Sequence, residues 1–95
     1  MKKSIELTPE EQSDIANLPQ MSIAEIAALV NKYWLKVHFA AEPYLDAMYS
    51  LNSINDSYGY DSGKSIVLYF LSNASTWKGG VAREVKKELL KRCKS

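Results

Sequence analysis

Residues 23–41 carry apolar side chains at helical spacing, and this pattern constrains the fold more than any other feature of the chain. The apolar positions recur every three or four residues, which is the period of a helix that buries one face. Ser22 and Glu25 form a capping box at the start, and Met21 and Ile26 stand where a hydrophobic staple would close it. We therefore predict one continuous helix over residues 23–41.

Start and stop signals divide the rest of the chain into further helices. The run Thr8-Pro9-Glu10-Glu11 combines a capping residue, a proline suited to the first turn and two acids at the positive end of the helix dipole. Pro43 predicts a break, because the residue before a proline disfavours helical backbone. Gly79-Gly80 predicts a helix end with a left-handed C-cap residue. The predicted helices cover residues 8–17, 23–41, 43–51, 63–77 and 81–93, and together they form an all-α, compact single-domain bundle over residues 1–95.

The apolar stretch from Ile66 to Leu71 fits a buried strand as well as a buried helix, because it is apolar on every side. The chain continues beyond it to Asn73 without a turn signal, which favours a central helix. Asp61 or Ser62 would cap that helix at its start.

Residues 52–62 form a polar, aromatic loop that is long for a compact helical domain. Loops of this length often carry function. The alternative is a single helical turn capped by Ser53, with Tyr58 and Tyr60 tucked against the core.

The sequence offers little that would support catalysis or metal binding. Cys93 is the only cysteine, so no internal disulfide can form, and its spacing fits an apolar position that finishes a helix stripe. His38 is the only histidine and has no further ligands at metal-binding spacing. Gly63-Lys64-Ser65 lacks the upstream glycine of a phosphate-binding loop. We expect no enzyme activity, no catalytic residues, no metal and no cofactor.

Targeting signals are also missing from the sequence. The first seven residues lack the apolar run of a signal peptide, and the longest apolar run, Ile66 to Leu71, is too short to span a bilayer. We expect a cytoplasmic protein without a membrane partner.

Charge is distributed unevenly along the chain, although the total is only +1. Residues 78–95 hold seven basic residues against two acids, a net charge of +5. Residues 1–77 hold five basic residues against nine acids, a net charge of −4. A basic terminal helix suits a phosphate backbone or an acidic partner, whereas the alternative is a solvated face that complements the helix dipole.

Residues 21–37 also resemble a helix-turn-helix motif for DNA binding. Ala27 would be the small packing residue, Asn31 the turn residue and Val37 the buried residue of a recognition helix. The unbroken apolar stripe through the supposed turn departs from that pattern. In this alternative the candidate DNA contacts are Lys32, Lys36 and His38.

Four stretches are similar to small uncharacterised proteins encoded by tailed phages and prophages. They are residues 18–22, 58–63, 69–77 and 81–86, so the likeness extends over most of the chain. The resemblance implies a small all-α accessory protein in a bacterial cytoplasm and transfers no functional residues. Proteins from such settings often act by binding, as inhibitors of host enzymes or defence systems.

Three functions follow as hypotheses. The first is a non-enzymatic accessory protein that binds a host protein through tyrosine, tryptophan and basic residues, which are the types that anchor interfaces. The others are a DNA-binding regulator and a binder of an anionic small molecule such as a signalling nucleotide. Self-association is a further expectation, because exposed aromatic residues on a small domain often mark it. The predicted interaction surface comprises Tyr58, Tyr60, Asp61, Lys64, Trp77, Arg83, Lys87 and Lys91.

Overall fold

A computed structural model describes residues 7–94 as a mainly helical domain, which confirms the all-α class. A short 3-10 turn (Leu18–Gln20) follows the first helix, and a hairpin of two-residue strands, β1 (Ser57–Tyr58) and β2 (Asp61–Ser62), precedes the fourth. The five α-helices of this part of the chain are α1 (Pro9–Ala16), α2 (Ile23–Tyr33), α3 (Glu42–Met48), α4 (Gly63–Ser72) and α5 (Gly80–Cys93).

Both predicted capping boxes are present. The Thr8 hydroxyl accepts a hydrogen bond from the Glu11 backbone N–H at 3.1 Å, and the Glu11 carboxylate accepts from the Thr8 N–H at 2.8 Å. Ser22 and Glu25 repeat the arrangement at the start of α2, at 3.0 and 2.8 Å. Each box satisfies backbone donors that a helix start otherwise leaves without partners.

The prediction of one helix over residues 23–41 is wrong. Helix α2 ends at Tyr33, and Trp34 follows with non-helical backbone angles (φ −103°, ψ 87°). The Trp34 ring stacks on Trp77 with centroids 5.6 Å apart, which anchors the chain where it leaves the helix. Val37 and Ala41 still reach the core, but they do so from turns. The helical spacing therefore persists in the sequence while the helix itself stops.

Pro43 does not mark the break that we predicted there. Helix α3 begins one residue earlier, at Glu42, and the proline lies in its first turn, where a missing N–H costs nothing. The break lies upstream, in residues 34–41.

The glycine with a positive φ before α5 also has a different position in the fold from the predicted one. Helix α4 includes Ile66 to Leu71, which settles the strand alternative, but it ends at Ser72 with Asn73 as its C-cap rather than at residue 77. Gly79 has a positive φ of 113°, yet it is the residue before α5 and not the C-cap of α4. A left-handed glycine here turns the connecting loop into α5.

Helix α4 lies at the centre of the core and packs against both α3 and α5. Phe70 and Val67 of α4 are fully buried. Cys93 finishes the apolar stripe of α5, as its spacing predicts, and the buried residues of this helix are Val81, Ala82, Val85, Leu89 and Cys93.

The bundle has two distinct ends. At one, the stack of Trp34 on Trp77 joins residues 34–41 to residues 73–79, and we call it the tryptophan end. At the other, which we call the hairpin end, the last turn of α5 meets the start of α4, and the Cys93 thiol lies 4.0 Å from the Lys64 carbonyl oxygen. The candidate binding residues are divided between these two ends.

Arg92 joins the end of α5 to the beginning of the fold. Its guanidinium donates to the backbone carbonyls of Leu18 at 2.7 Å and Met21 at 2.8 Å, and to the Glu88 carboxylate at 2.8 Å. The Glu88–Arg92 ion pair, one turn apart on α5, is mostly shielded from water. The planar fork of arginine suits three acceptors in a way that lysine cannot.

We expect Arg92→Ala to lower the free energy of unfolding by about 2–3 kcal/mol, because two carbonyls and a shielded carboxylate lose their donor. Arg92→Lys should recover part of this loss. Urea denaturation measures both, with the exposed Lys87→Ala as a control expected to stay within about 0.5 kcal/mol. An Arg92→Ala protein as stable as the control would contradict the role assigned to this clamp.

Candidate functional site

An open groove of about 610 Å³ runs along α5 as far as Leu90 and along the loop before the helix. Cations dominate its rim, and none of the side chains lining it in residues 7–94 is acidic. Its lining residues are Trp77, Lys78, Gly79, Arg83, Lys86, Lys87 and Leu90.

Helical geometry separates the charges of α5. Arg83, Lys87 and Leu90 recur at steps of three and four, so they share one outward face. Glu84 and Glu88 lie on the adjoining flank, where they line a separate depression together with Lys87 and Lys91 beside Leu18 and Pro19. The two acids therefore offset the edge of the basic face at Lys87 and Lys91, whereas Lys78, Arg83 and Lys86 line only the groove.

Lys86 links the groove to its loop. Its ammonium group donates to the Trp77 backbone carbonyl at 2.7 Å. Burial lowers the pKa of Lys86, and the positive charge of nearby Lys78 lowers it further. Positive charge is thus concentrated here, and a bound anion would relieve the repulsion.

The start of α5 adds to this positive character. Its N-cap residue, Gly79, provides no side-chain hydrogen bond, and its first turn contains no acid. The floor of the groove is apolar at Leu90, which is exposed. The site thus combines an apolar floor with a cationic rim.

The predicted interaction surface is not one surface. Arg83 and Lys87 lie in the groove, and Lys91 continues the same face beside Leu90. Trp77 is only 4% exposed, because it belongs to the tryptophan stack in the core, so its prediction as a surface anchor is wrong. Tyr58, Tyr60, Asp61 and Lys64 lie at the opposite, hairpin end.

The loop over residues 52–62 ends in a hairpin, and its tyrosines are exposed. Ser57 pairs with Ser62 and Tyr58 with Asp61, which leaves Gly59 (φ 63°) and Tyr60 at the turn. Tyr60 is fully exposed and Tyr58 is about half exposed. The alternative in which both tyrosines tuck against the core is therefore wrong.

Gly63 fixes the hairpin against the bundle. Its N–H donates to the Asp56 carbonyl at 2.6 Å, and the next N–H, of Lys64, donates to the Ile54 carbonyl at 3.0 Å. A Cβ atom at position 63 would come within 2.9 Å of the Ser53 and Asp56 carbonyl oxygens. The close backbone approach therefore requires glycine.

We expect Gly63→Ala to destabilise the protein by about 1–3 kcal/mol through overpacking. The sign of the change in the free energy of unfolding is diagnostic, because the same substitution within an unobstructed helix stabilises by up to about 1 kcal/mol. Lys64→Ala, which alters an exposed neighbour, should be close to neutral in the same thermal unfolding assay. A more stable Gly63→Ala protein would refute the close approach.

The helix-turn-helix alternative loses its recognition helix, because residues 34–41 are not helical. Lys32 is held by Glu10 at 2.6 Å and Asp14 at 2.9 Å, which raises its pKa above the ordinary range. Lys36 lies in the turns, and the His38 Nδ1 atom accepts the Ala40 N–H at 3.0 Å. These three candidate DNA contacts do not form a helical reading face.

Glu10, Asp14, Lys32 and Tyr33 form one cluster of ion pairs and hydrogen bonds, which we call the Lys32 cluster. Through Asp14, the contribution of this cluster to stability depends on pH. Hydrogen bonds from the Tyr33 hydroxyl and then from Lys32 hold the pKa of this carboxyl below its ordinary value of 3.8. A carboxyl whose pKa falls on folding stabilises the protein above its unfolded-state pKa, and that contribution is lost as the pH falls through the folded-state pKa.

We expect Asp14→Asn to shrink the drop in melting temperature between about pH 6 and about pH 3, because the titrating carboxyl is gone. Asp46→Asn, at an exposed acid of α3, is the matched control and should keep the wild-type drop. Identical pH profiles for wild type and Asp14→Asn would show that the cluster does not contribute.

Sequence reasoning missed the exposed apolar residues. Leu35 and Phe39 are largely exposed at the tryptophan end, and Leu90 is exposed in the groove. Leu35 and Phe39 both fall outside the apolar stripe of residues 23–41, which is the signal that could have identified them. Lys78 and Lys86 were counted in the basic segment but not recognised as parts of one site.

No protein-family model, curated protein or solved structure matches the chain. Within residues 7–94, no cluster of three or more side chains is suited to hold a metal ion. None of the helices in that range has both the length and the apolar character needed to cross a bilayer.

Proposed function

We propose that this chain is a non-enzymatic accessory protein that binds an acidic surface of another protein. One observation carries the proposal: the groove on α5 has four basic side chains on its rim, an apolar floor and no acidic lining residue among those described. Complementary charge steers association and selects partners, and apolar contact adds affinity. The resemblance to phage and prophage proteins supports a bacterial host protein in the cytoplasm as the partner.

An acidic protein fits this groove better than nucleic acid does. Leu90 offers apolar contact, which a phosphate backbone does not use. Residues 1–77 carry a net charge of −4, and this would repel a polyanion that extends beyond the groove. A localised acidic patch on a protein avoids that repulsion.

The open shape of the groove also favours a macromolecular partner. Small-molecule sites usually enclose most of the ligand surface. This groove is open to solvent along its length, so an anionic small molecule would remain largely exposed in it.

The test is capture of host proteins from a bacterial lysate, followed by calorimetry with the purified partner. We expect Lys87→Glu to weaken binding about tenfold at low salt, because it places a negative charge in the groove. Lys64→Glu makes the same charge change at the hairpin end and should bind like wild type. The new glutamate at position 87 would lie one turn from Arg83 and from Lys91, which offset its repulsion by Glu84 three residues away, so the fold should survive.

Equal binding by Lys87→Glu and wild type would rule out the groove as the interface. A random duplex of about 20 base pairs tests the nucleic-acid alternative, because phosphate contacts make retention fall steeply with salt. Strong retention of the duplex at low salt, lost with Lys87→Glu, would replace protein docking with nucleic-acid binding.

A further inference from the structure

Two large apolar side chains project into solvent from the turns between α2 and α3. Leu35 is 86% exposed and Phe39 is 78% exposed, although both belong to a short segment that is otherwise anchored in the core. Single exposed apolar residues are common, so these two are of interest because both project from one short segment at the same end of the bundle as the cationic groove.

Hydrogen bonds and a ring stack hold the segment that carries Leu35 and Phe39. The Trp34 N–H donates to the Val30 carbonyl at 2.7 Å, and the Ala41 N–H donates to the His38 carbonyl at 2.8 Å. The His38 ring stacks on Phe39 with centroids 4.7 Å apart. The two apolar side chains are therefore presented on a backbone that is already ordered, which lowers the entropy lost on binding.

The stacked tryptophans place this segment beside the basic groove. Leu35 follows Trp34 directly, and Lys78 follows Trp77 directly. Because the two indole rings stack at 5.6 Å, the apolar residues and the cationic rim share one end of the bundle. Lys36 lies between Leu35 and Phe39 and extends the positive charge to them, while Glu42 at the start of α3 offsets one of these charges.

We propose that Leu35 and Phe39 are the apolar anchors of the same interface, and that they insert into an apolar pocket bordered by acidic residues on the partner protein. This inference rests on the proposed function and adds the shape and chemistry of the partner: carboxylates that meet the groove and an apolar pocket next to them. A second copy of the chain fits less well, because joining two such ends would bring Lys36 and Lys78 of both copies together.

Three synthetic amphipathic helical peptides of equal length serve as probes, so that no natural partner is required. The first has a glutamate face and a leucine face, the second replaces the leucines with serine, and the third replaces the glutamates with lysine. Fluorescence anisotropy measures their affinity for the full chain. We expect the first peptide to bind at least about tenfold more tightly than the second, since a buried leucine alone contributes that much, and the third not to bind.

Variants of the chain identify the residues that produce the preference for the first peptide over the second. Leu35→Ser/Phe39→Ser should reduce the ratio between the first two peptides to nearly one while leaving the affinity for the second unchanged. Tyr58→Ser/Tyr60→Ser removes two exposed aromatic side chains from the hairpin end and should keep the wild-type ratio. Lys87→Glu should weaken both acidic peptides by a similar factor. Circular dichroism melts confirm that each variant is folded.

The outcomes separate the two proposals. If both acidic peptides bind equally, or if Leu35→Ser/Phe39→Ser keeps the wild-type ratio, the anchor role is overturned and the groove function stands. If neither acidic peptide binds, both proposals fail. Sedimentation equilibrium tests the second copy: a dimer that Leu35→Ser/Phe39→Ser dissolves would show that these residues serve self-association and would overturn the partner pocket.

Discussion

The stacking of Trp34 on Trp77 is the interaction on which the arrangement of the tryptophan end depends. It lies where α2 ends, fixes the loop that precedes α5 and brings the segments that carry Leu35 and Lys78 to the same end of the bundle. Phe70 of the central helix meets the Trp34 ring edge-on at 6.3 Å, so the stack is also part of the main core. The same contact that stabilises the fold thus sets the spacing between apolar anchors and cationic rim.

Local sequence rules predicted the elements that local interactions determine. The capping boxes at Thr8 and Ser22 were readable because their partners lie three residues away. The inward face of α5 was readable because a long amphipathic helix keeps one period throughout. The helix proposed for residues 23–41 failed because a tertiary contact of Trp34 ends it, and a periodic pattern contains no information about that contact. Trp77 was misassigned to the surface for the same reason.

The candidate site could be predicted only in part. The charge count identified the basic segment, but not that Lys78 and Lys86 converge with Arg83 around a single groove, since this depends on the path of the loop before α5. The loop tyrosines were placed on that same surface, yet the antiparallel path of α4 and α5 moves them to the other end of the molecule. Charge composition reports how much charge a segment has, whereas topology decides what lies beside it.

The Arg92 clamp has a consequence for the order in which the molecule comes apart. Its bonds to Leu18 and Met21 join residues 74 and 71 positions apart, so they form only when the whole chain has been brought together. Helix α1 has no fully buried residue and is tied to the bundle by this clamp, through the turn that follows it, and by the Lys32 cluster. We therefore expect α1, which contributes only the partly buried Ile15 to the core, to open before α2, α4 and α5, whereas the 3-10 turn is held by buried Leu18 as well as by Arg92.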